Sequence, residues 1–159
     1  MIHVLFVCLG NICRSPMAEA VFNALLKKEG LQEQIQCDSA GTSNYHIGEL
    51  PDSRTMDIIN EYNLSLQHLG RQFLADDFEK FDYIIAMDQS NRDNILKLEK
   101  KGREKGYKVF LMREFEDDAV DMDVPDPYWS AQDGFTEVYN ILWRSSQNLL
   151  DYIRKEHQL

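Results

Sequence analysis

Cysteine, proline and basic residues are all scarce in this chain. Its 159 residues include three cysteines and four prolines. An odd, low cysteine count argues against a disulfide framework and predicts a reducing, cytoplasmic location, where cysteines are more often catalytic or simply buried. No apolar run approaches the length of a membrane span, and residues 1–7 have neither the basic start nor the cleavage site of a signal peptide.

Acidic residues outnumber the basic ones. The chain has 17 Lys and Arg against 27 Asp and Glu, which gives a formal net charge of −10. Such a charge repels polyanions at long range, so neither nucleic acid nor an anionic membrane is expected as a partner. An anion-binding site must therefore use local dipoles and one or two placed cations. The length predicts a single domain over residues 1–159, and we expect a monomer or a weak dimer.

Short apolar runs alternate with helical patterns along the chain. Strands are predicted at residues 2–7, 33–39, 81–87 and 107–112, and helices at residues 15–30, 51–62, 88–100 and 135–157. Ser15 is the expected N-cap of the first helix, with Pro16 in its first turn and Gly30 at its end. The alternation predicts an α/β fold in which helices cover both faces of a parallel sheet. Ligands of such folds bind at the carboxyl ends of the strands.

The segment after the first strand has the composition of an oxyanion-binding loop, and it reads Cys8-Leu9-Gly10-Asn11-Ile12-Cys13-Arg14-Ser15. Backbone N–H groups at a strand-to-helix turn can converge on one anion, and the helix dipole favours negative charge. Gly10 is expected to supply unusual backbone freedom, and Asn11 tolerates the left-handed region. Cys8 is the predicted nucleophile, because these dipoles stabilise a thiolate. Arg14 offers a planar fork to phosphate oxygens, and Ser15 can donate a hydrogen bond to sulfur.

The loop differs from a nucleotide-binding loop. It has neither a Gly-Lys-[Ser/Thr] ending nor a Gly-x-Gly-x-x-Gly pattern. The predicted ligand is therefore a single phosphoryl group at a nucleophile and not a cofactor pyrophosphate. The alternative is that Cys8 is a buried small hydrophobe and Arg14 a solvated cation, but the full Cys-x5-Arg-Ser pattern between a strand and a helix argues against it.

Residues 7–20, VCLGNICRSPMAEA, resemble the signature of the low-molecular-weight protein tyrosine phosphatases. The order and spacing of further motifs agree, namely Asp38-Ser39-Ala40-Gly41-Thr42, Ile47-Gly48 with Pro51, Ala86-Met87-Asp88 with Ser90-Asn91, and Val124-Pro125-Asp126-Pro127-Tyr128. The resemblance covers essentially the whole chain. It implies a three-layer fold with four parallel strands, hydrolysis of phosphotyrosine in protein substrates through a cysteinyl phosphate, and neither metal nor cofactor. Inorganic phosphate or other oxyanions would bind as product or inhibitor.

Such a reaction also needs a carboxyl group that protonates the leaving oxygen and later activates water. The predicted loop over residues 114–132 offers Asp117, Asp118, Asp121, Asp123 and Asp126. Pro125 and Pro127 stiffen the backbone on either side of Asp126. The resemblance also places the acid at Asp126, and we predict this residue.

Aromatic residues are expected to form the walls of the substrate slot. Tyr128 and Trp129 follow Asp126 directly, and Tyr45 lies in a loop that should reach the same end of the sheet. A deep aromatic slot would favour phosphotyrosine over the shorter phosphoserine. The alternative is that these are ordinary loop aromatics.

The resemblance assigns a supporting role to four polar residues. In this family a hydrogen-bond network fixes the loop, and its positions are matched here by Asn11, Ser39, His68 and Asp88. Cys13 shares the loop with Cys8, and the two thiols could close a reversible disulfide that protects Cys8, or Cys13 could simply pack under the loop. Cys37, in the second strand, is expected to be inert.

Three other functions fit parts of the pattern. Arsenate reductases of similar fold need further cysteines near the third strand, and residues 81–103 contain none. Protein-arginine phosphatases typically have Thr where this chain has Ile12 and a less aromatic acid loop, so Ile12, Tyr128 and Trp129 favour phosphotyrosine. A catalytically dead phosphopeptide-binding module would be expected to lack the nucleophile or the acid, and both Cys8 and Asp126 are present.

Overall fold

The computed structural model describes residues 1–100 and 107–159. Its strands are β1 Ile2–Cys8, β2 Ile35–Gly41, β3 Tyr83–Ala86 and β4 Lys108–Leu111. Its helices are α1 Arg14–Glu29, α2 Ser53–Glu61, α3 Asp77–Lys80, α4 Gln89–Leu96 and α5 Gln132–His157, with a 3-10 helix at Met112–Phe115. Within these described residues, no helix is long and apolar enough to cross a membrane.

The four strands form one parallel sheet in the order β2-β1-β3-β4. Side chains of β1 alternate between two cores, because successive residues of a strand point to opposite faces. Val4 and Phe6 join the cluster that contains residues of α1 and α5. Leu5 and Val7 join the cluster on the other face, which includes residues of α3 and α4. The sheet is thus the middle of three layers, and the predicted fold class is confirmed.

The order of the strands places a crevice beside the end of β1. The chain goes from β1 to β2 on one side and later returns to β3 on the other side of β1. The connections that follow β1 and β3 therefore separate at this point, where open α/β sheets bind ligands. Cys8 is the last residue of β1, and Asp88 follows β3 by two residues.

The start of α1 differs from the prediction. The helix begins at Arg14, its N-cap is Cys13, and no side chain caps it. Ser15 is not the N-cap, because its hydroxyl contacts the Cys8 sulfur and accepts a hydrogen bond from Asn11 instead. At the other end Gly30 has the left-handed conformation of a C-cap, with φ 69°, as predicted.

Several boundaries were also predicted wrongly. Helix α4 ends at Leu96 and not near residue 100, and α5 begins at Gln132, three positions earlier than expected. The short helix α3 was missed, because four residues are too few to show a helical period. Strand β2 runs two residues past its predicted end, to Gly41, where it meets the loop after β1.

Candidate active site

The loop after β1 is held from outside through its carbonyl groups. Backbone N–H groups of Thr42 and Ser43 donate to the carbonyls of Cys8 and Leu9 at 2.9 and 3.0 Å. The Ile12 carbonyl accepts from the Asp52 N–H at 2.9 Å and from the Thr55 hydroxyl at 3.2 Å. Strand β2 passes so close that a Cβ at Gly41 would lie 2.7 Å from the Leu9 oxygen, which explains the glycine there.

The Cys8 sulfur lies where the loop folds back on itself. It accepts a hydrogen bond from the Asn11 N–H at 3.3 Å and lies 3.0 Å from the Ser15 hydroxyl. Asn11 has a φ of 56°, in the left-handed region, as predicted. Gly10 does not, so the proposed need for unusual backbone freedom at Gly10 is wrong. A side chain there would instead meet the His46 ring, since a Cβ would lie 3.0 Å from its Cδ2.

Arg14 is almost completely buried, with 2% of its surface exposed. Its Nη1 donates to the Asp88 carboxylate at 2.7 Å and to the Val124 carbonyl at 3.0 Å. Burial lowers the pKa of Arg14, but the negative charges of Cys8, Asp88 and Asp126 outweigh it and raise the pKa above its ordinary value. Nε of Arg14 has no hydrogen-bond partner among the described residues, so it can donate to an oxygen atom of an anion bound in the loop.

Asp126 faces Arg14 from the loop before α5. Its Oδ2 lies 3.6 Å from Nη2 of Arg14, and 44% of its side chain is exposed. Its Oδ1 accepts a hydrogen bond from the Tyr128 N–H at 3.1 Å, which forms a local turn. Upstream, the Val124 N–H donates to the Met87 carbonyl at 2.8 Å and ties this loop to the end of β3.

These side chains surround one cavity of about 230 Å³. It is lined by Cys8, Leu9, Gly10, Ile12, Cys13, Arg14, Tyr45, His46, Asp126, Tyr128 and Trp129. All predicted residues of the loop and slot therefore line the cavity, except Asn11 and Ser15, whose side chains are buried in hydrogen bonds to other groups. His46 was not predicted, and a lone histidine in a loop gives no signal that could have identified it.

The aromatic residues stand at the mouth of the cavity. Trp129 is 91% exposed and Tyr45 is 70% exposed, so both form a rim and not a closed wall. Tyr128 is more covered, at 36%, and its ring meets the Trp129 ring edge to face with centroids 4.9 Å apart. All three rings border the opening of the cavity.

A hydrogen-bond network centred on Asn11 supports the loop. The Asn11 Nδ2 donates to the hydroxyls of Ser15 and Ser39 at 2.9 and 3.0 Å. Its Oδ1 accepts from the Arg71 backbone N–H at 3.0 Å, and Nε2 of His68 lies 2.7 Å from the same oxygen. The structure thus brings Ser39 and His68 together with Asn11. Asp88 instead contacts Arg14.

The orientation of the Asn11 amide determines which nitrogen of His68 carries the proton. The Arg71 N–H fixes an oxygen at that position, so His68 must donate from Nε2. In a neutral ring Nδ1 is then an acceptor, yet it lies 3.4 Å from Glu19 Oε2 and 3.6 Å from Asp38 Oδ1. Three acceptors this close need a positive charge or a shared proton between them.

The raised pKa of Glu19 favours its carboxyl as the holder of that proton near neutral pH. Burial is the main cause that raises its pKa to about 8, and the neighbouring Asp38 adds to the rise. Burial also lowers the pKa of His68, which keeps the ring neutral. Sequence reasoning missed the contact of Glu19 with Asp38, because no local pattern shows that β2 brings the two together.

Within residues 1–100 and 107–159, one cluster has the composition of a metal site. Ligand atoms of Glu19, Asp38 and His68 lie within 4.8 Å of one another. Arg71 contacts Asp38 at 3.1 Å and already supplies a positive charge there. The shared proton and this arginine therefore supply the positive charge that the two carboxylates need.

All three cysteines are free thiols. Burial, followed by the charge of Asp52, raises the pKa of Cys13 to about 12. Burial likewise raises the pKa of Cys37 well above its ordinary value. Both groups therefore stay protonated at neutral pH and are poor nucleophiles.

Comparisons with known proteins agree with this arrangement. The family model for low molecular weight phosphotyrosine protein phosphatases matches residues 3–159. A low molecular weight phosphotyrosine protein phosphatase of Schizosaccharomyces pombe is 45% identical over 153 residues, which are 96% of this chain and 97% of that protein. The crystal structure of a protein tyrosine phosphatase from Entamoeba histolytica, with Hepes in the active site, is 38% identical and has a TM-score of 0.92 over 100% of both chains. The crystal structure of a Drosophila arginine phosphatase is 35% identical, with a TM-score of 0.90, and the match covers 95% of this chain and 97% of that one.

The fold and the site define an α/β enzyme with an oxyanion-binding loop after its first strand. The chain belongs to the low-molecular-weight protein tyrosine phosphatase family, and it is therefore a hydrolase that acts on phosphoproteins. The family and the enzyme class that the sequence predicted are confirmed.

Proposed function

We propose that this phosphatase hydrolyses phosphotyrosine in proteins through a phosphoryl group carried on Cys8. One observation carries the proposal: the Cys8 sulfur, the buried Arg14 and the Asp126 carboxyl line a single cavity. A nucleophile, a cation for phosphate oxygens and a proton donor are the parts that this reaction needs.

In the first step the Cys8 thiolate attacks phosphorus. The sulfur–phosphorus bond forms as the bond from phosphorus to the tyrosine oxygen breaks, and the protonated Asp126 gives its proton to that oxygen. Arg14 donates to the phosphate oxygens through Nε, which is unpaired among the described residues, while Asp88 and Val124 hold Nη1 in place. Backbone N–H groups from Leu9 to Ser15 supply further donors around the phosphoryl group.

In the second step water attacks the cysteinyl phosphate. Asp126, now a carboxylate, takes a proton from the water, the new oxygen–phosphorus bond forms, and the sulfur–phosphorus bond breaks. The leaving thiolate has no proton, so the Ser15 hydroxyl at 3.0 Å must donate to it. Inorganic phosphate is the product, and it competes with substrate for the same loop.

The slot formed by Tyr45, Tyr128 and Trp129 is proposed to hold the phenyl ring of the substrate. An aromatic ring between these side chains gains stacking and apolar contact, and it places the phosphoryl group at the bottom of the cavity. A phosphoserine side chain is too short to make both contacts at once.

Arginine phosphatase activity is the second candidate, since the Drosophila arginine phosphatase has the same fold. Two features favour phosphotyrosine. Ile12 contributes an apolar side chain to the cavity. Tyr128 and Trp129 add aromatic rings from the loop that carries the acid Asp126. A phosphoguanidinium would need polar partners at these positions instead.

The remaining properties are proposed on sequence grounds. Residues 1–159 form one phosphatase domain that acts in the cytoplasm as a monomer or weak dimer. The free thiols fit a reducing compartment, and the net charge of −10 disfavours nucleic acid and anionic membranes. The reaction uses only water and the protein's own side chains and backbone N–H groups, so we expect neither metal nor cofactor.

The test compares hydrolysis of phosphotyrosine and phosphoarginine in the presence of EDTA. The variants are wild type, Cys8→Ser and the control Cys37→Ser, which replaces a thiol of β2 that the mechanism does not use. We expect phosphotyrosine turnover in wild type and Cys37→Ser, and its loss in Cys8→Ser with retained phosphate binding. Preference for phosphoarginine would overturn the substrate assignment, and activity in Cys8→Ser would overturn the nucleophile.

A further inference from the structure

Arg54 joins the start of α2 to the loop that carries Asp126. Its Nη1 donates to the Ser130 carbonyl at 3.1 Å, and its guanidinium carbon lies 5.6 Å from the centre of the Tyr128 ring. The same carbon lies 4.5 Å from the centre of the Phe135 ring on α5. Arg54 therefore touches the acid loop just after Asp126 and the helix that follows it.

The other side of the guanidinium is fixed by Asp52. Nε and Nη2 of Arg54 donate to the two oxygens of this carboxylate at 3.0 and 2.9 Å, a two-pronged geometry that sets the plane of the group. Asp52 is the N-cap of α2, and its N–H donates to the Ile12 carbonyl of the oxyanion-binding loop, residues 8–15, here called the phosphate loop. One chain of contacts thus runs from the phosphate loop through Asp52 and Arg54 to Ser130.

The loop that carries Asp126 needs such an anchor, because among the described residues its other hydrogen bonds near Asp126 are internal, and Arg14 contacts the carboxylate only at 3.6 Å. The Tyr128 N–H donates to Asp126, and the Ser130 N–H donates to the Pro127 carbonyl at 2.8 Å. These bonds shape the turn but do not locate it relative to Cys8. Upstream the loop is tied at Val124, and Arg54 ties it downstream at Ser130.

We propose that Arg54 is a positioning residue that holds Asp126 over the phosphate loop and so determines how well it protonates the leaving oxygen. This inference rests on the proposed function, in which Asp126 is the acid. A carboxyl displaced by about 1 Å can cost a large part of its catalytic effect, because proton transfer needs hydrogen-bond contact. Binding of the phosphoryl group itself involves other atoms and should not change.

The experiment measures kcat/KM, which reports the first step, for phenyl phosphate and p-nitrophenyl phosphate. The variants are Arg54→Met, Arg54→Lys, Asp126→Asn and the double variant Arg54→Met with Asp126→Asn. Arg92→Met is the control, because Arg92 also pairs with a carboxylate and its side chain is 32% exposed, as is that of Arg54. Inhibition by inorganic phosphate is measured in each.

We expect Arg54→Met to lower kcat/KM about tenfold for phenyl phosphate but less than about threefold for p-nitrophenyl phosphate, whose leaving group needs little protonation. Arg54→Lys should recover part of the loss, and the phosphate inhibition constant should stay within about twofold. In the Asp126→Asn background, Arg54→Met should cause no further change in leaving-group dependence.

Equal losses on both substrates, or none, would overturn the positioning role while the proposed function stands. A further loss in the Asp126→Asn background that still depends on the leaving group would overturn it as well. If Asp126→Asn itself treats both substrates alike, the assignment of the acid fails and the inference fails with it.

Discussion

The Ser15 hydroxyl lies 3.0 Å from the Cys8 sulfur, although seven positions separate the two residues. The loop between them closes around the oxyanion site, so the start of α1 returns to the end of β1. The hydroxyl also accepts a hydrogen bond from Asn11 and lies 3.3 Å from the Ala40 carbonyl. It can donate to one acceptor at a time, and a thiolate is the stronger one.

Replacing Ser15 by Ala should slow the release of sulfur from the cysteinyl phosphate. We expect kcat for p-nitrophenyl phosphate to fall about 10- to 100-fold, because one donor to a developing negative charge is lost. Rapid-quench kinetics should then show a burst of nitrophenol before the slow steady state. Ser146→Ala is the control, since its buried hydroxyl has no partner among the described residues. Unchanged kcat, or a slow step with no burst, would contradict this role.

Asp126→Asn should affect substrates in proportion to how much protonation their leaving group needs. We expect kcat/KM for phosphotyrosine to fall about 100-fold or more, and much less for p-nitrophenyl phosphate. Asp118→Asn is the matched control, because Asp118 lies in the same acidic stretch, is exposed, and has a φ of 57° that Asn tolerates. If both variants behave alike, another acid serves the reaction.

Asp88→Asn separates the charge of this side chain from its capping role. Asp88 accepts from the Asn91 N–H at the start of α4 and from Arg14, and an amide oxygen can still serve as the cap. We expect Tm to change little while kcat/KM for phosphotyrosine falls about tenfold, since Arg14 loses its charge-assisted bond. A large drop in Tm would show that Asp88 mainly offsets the buried charge of Arg14 and does not act through its orientation alone.

The sequence revealed the parts of the site that are local in the chain. A buried strand followed by Cys-x5-Arg-Ser indicates where the thiol and the arginine meet, and two prolines mark Asp126. The fold class followed from the alternation of apolar runs and helical patterns. Each of these signals depends only on neighbours along the chain, so the order of the residues is enough to reveal it.

Contacts between distant segments could not be predicted in this way. The pairing of Glu19 with Asp38 needs the register of α1 against β2, and the bond from Arg54 to Ser130 joins residues 76 positions apart. The wrong N-cap at Ser15 has the same origin, because the competing partner of its hydroxyl comes from β1. Local propensity identifies candidate donors, whereas the tertiary fold decides which acceptor each one meets.

Glu19 should make the protein less stable as pH rises from 7 to 8. Its pKa is about 8 in the folded state against 4.5 for an ordinary glutamate, so the folded state binds more protons across this range and stability falls as they are lost. His68 acts in the opposite direction, mainly below its ordinary pKa of 6.5, and the raised pKa values of Cys13 and Cys37 matter mainly above their ordinary value of 9. Between pH 7 and 8 we therefore expect Glu19 to be the main source of the difference between the wild type and Glu19→Gln.

Urea denaturation at pH 7 and pH 8 measures this effect against Glu19→Gln, which cannot titrate. The free energy of unfolding of the wild type should fall by up to about 1 kcal/mol relative to Glu19→Gln over this unit, below the limit of about 1.4 kcal/mol for one group. Glu29→Gln, at the end of α1, should keep the pH dependence of the wild type. Equal pH dependence in all three proteins would mean that Glu19 is already ionised at pH 7 and that the proton of the cluster resides on His68.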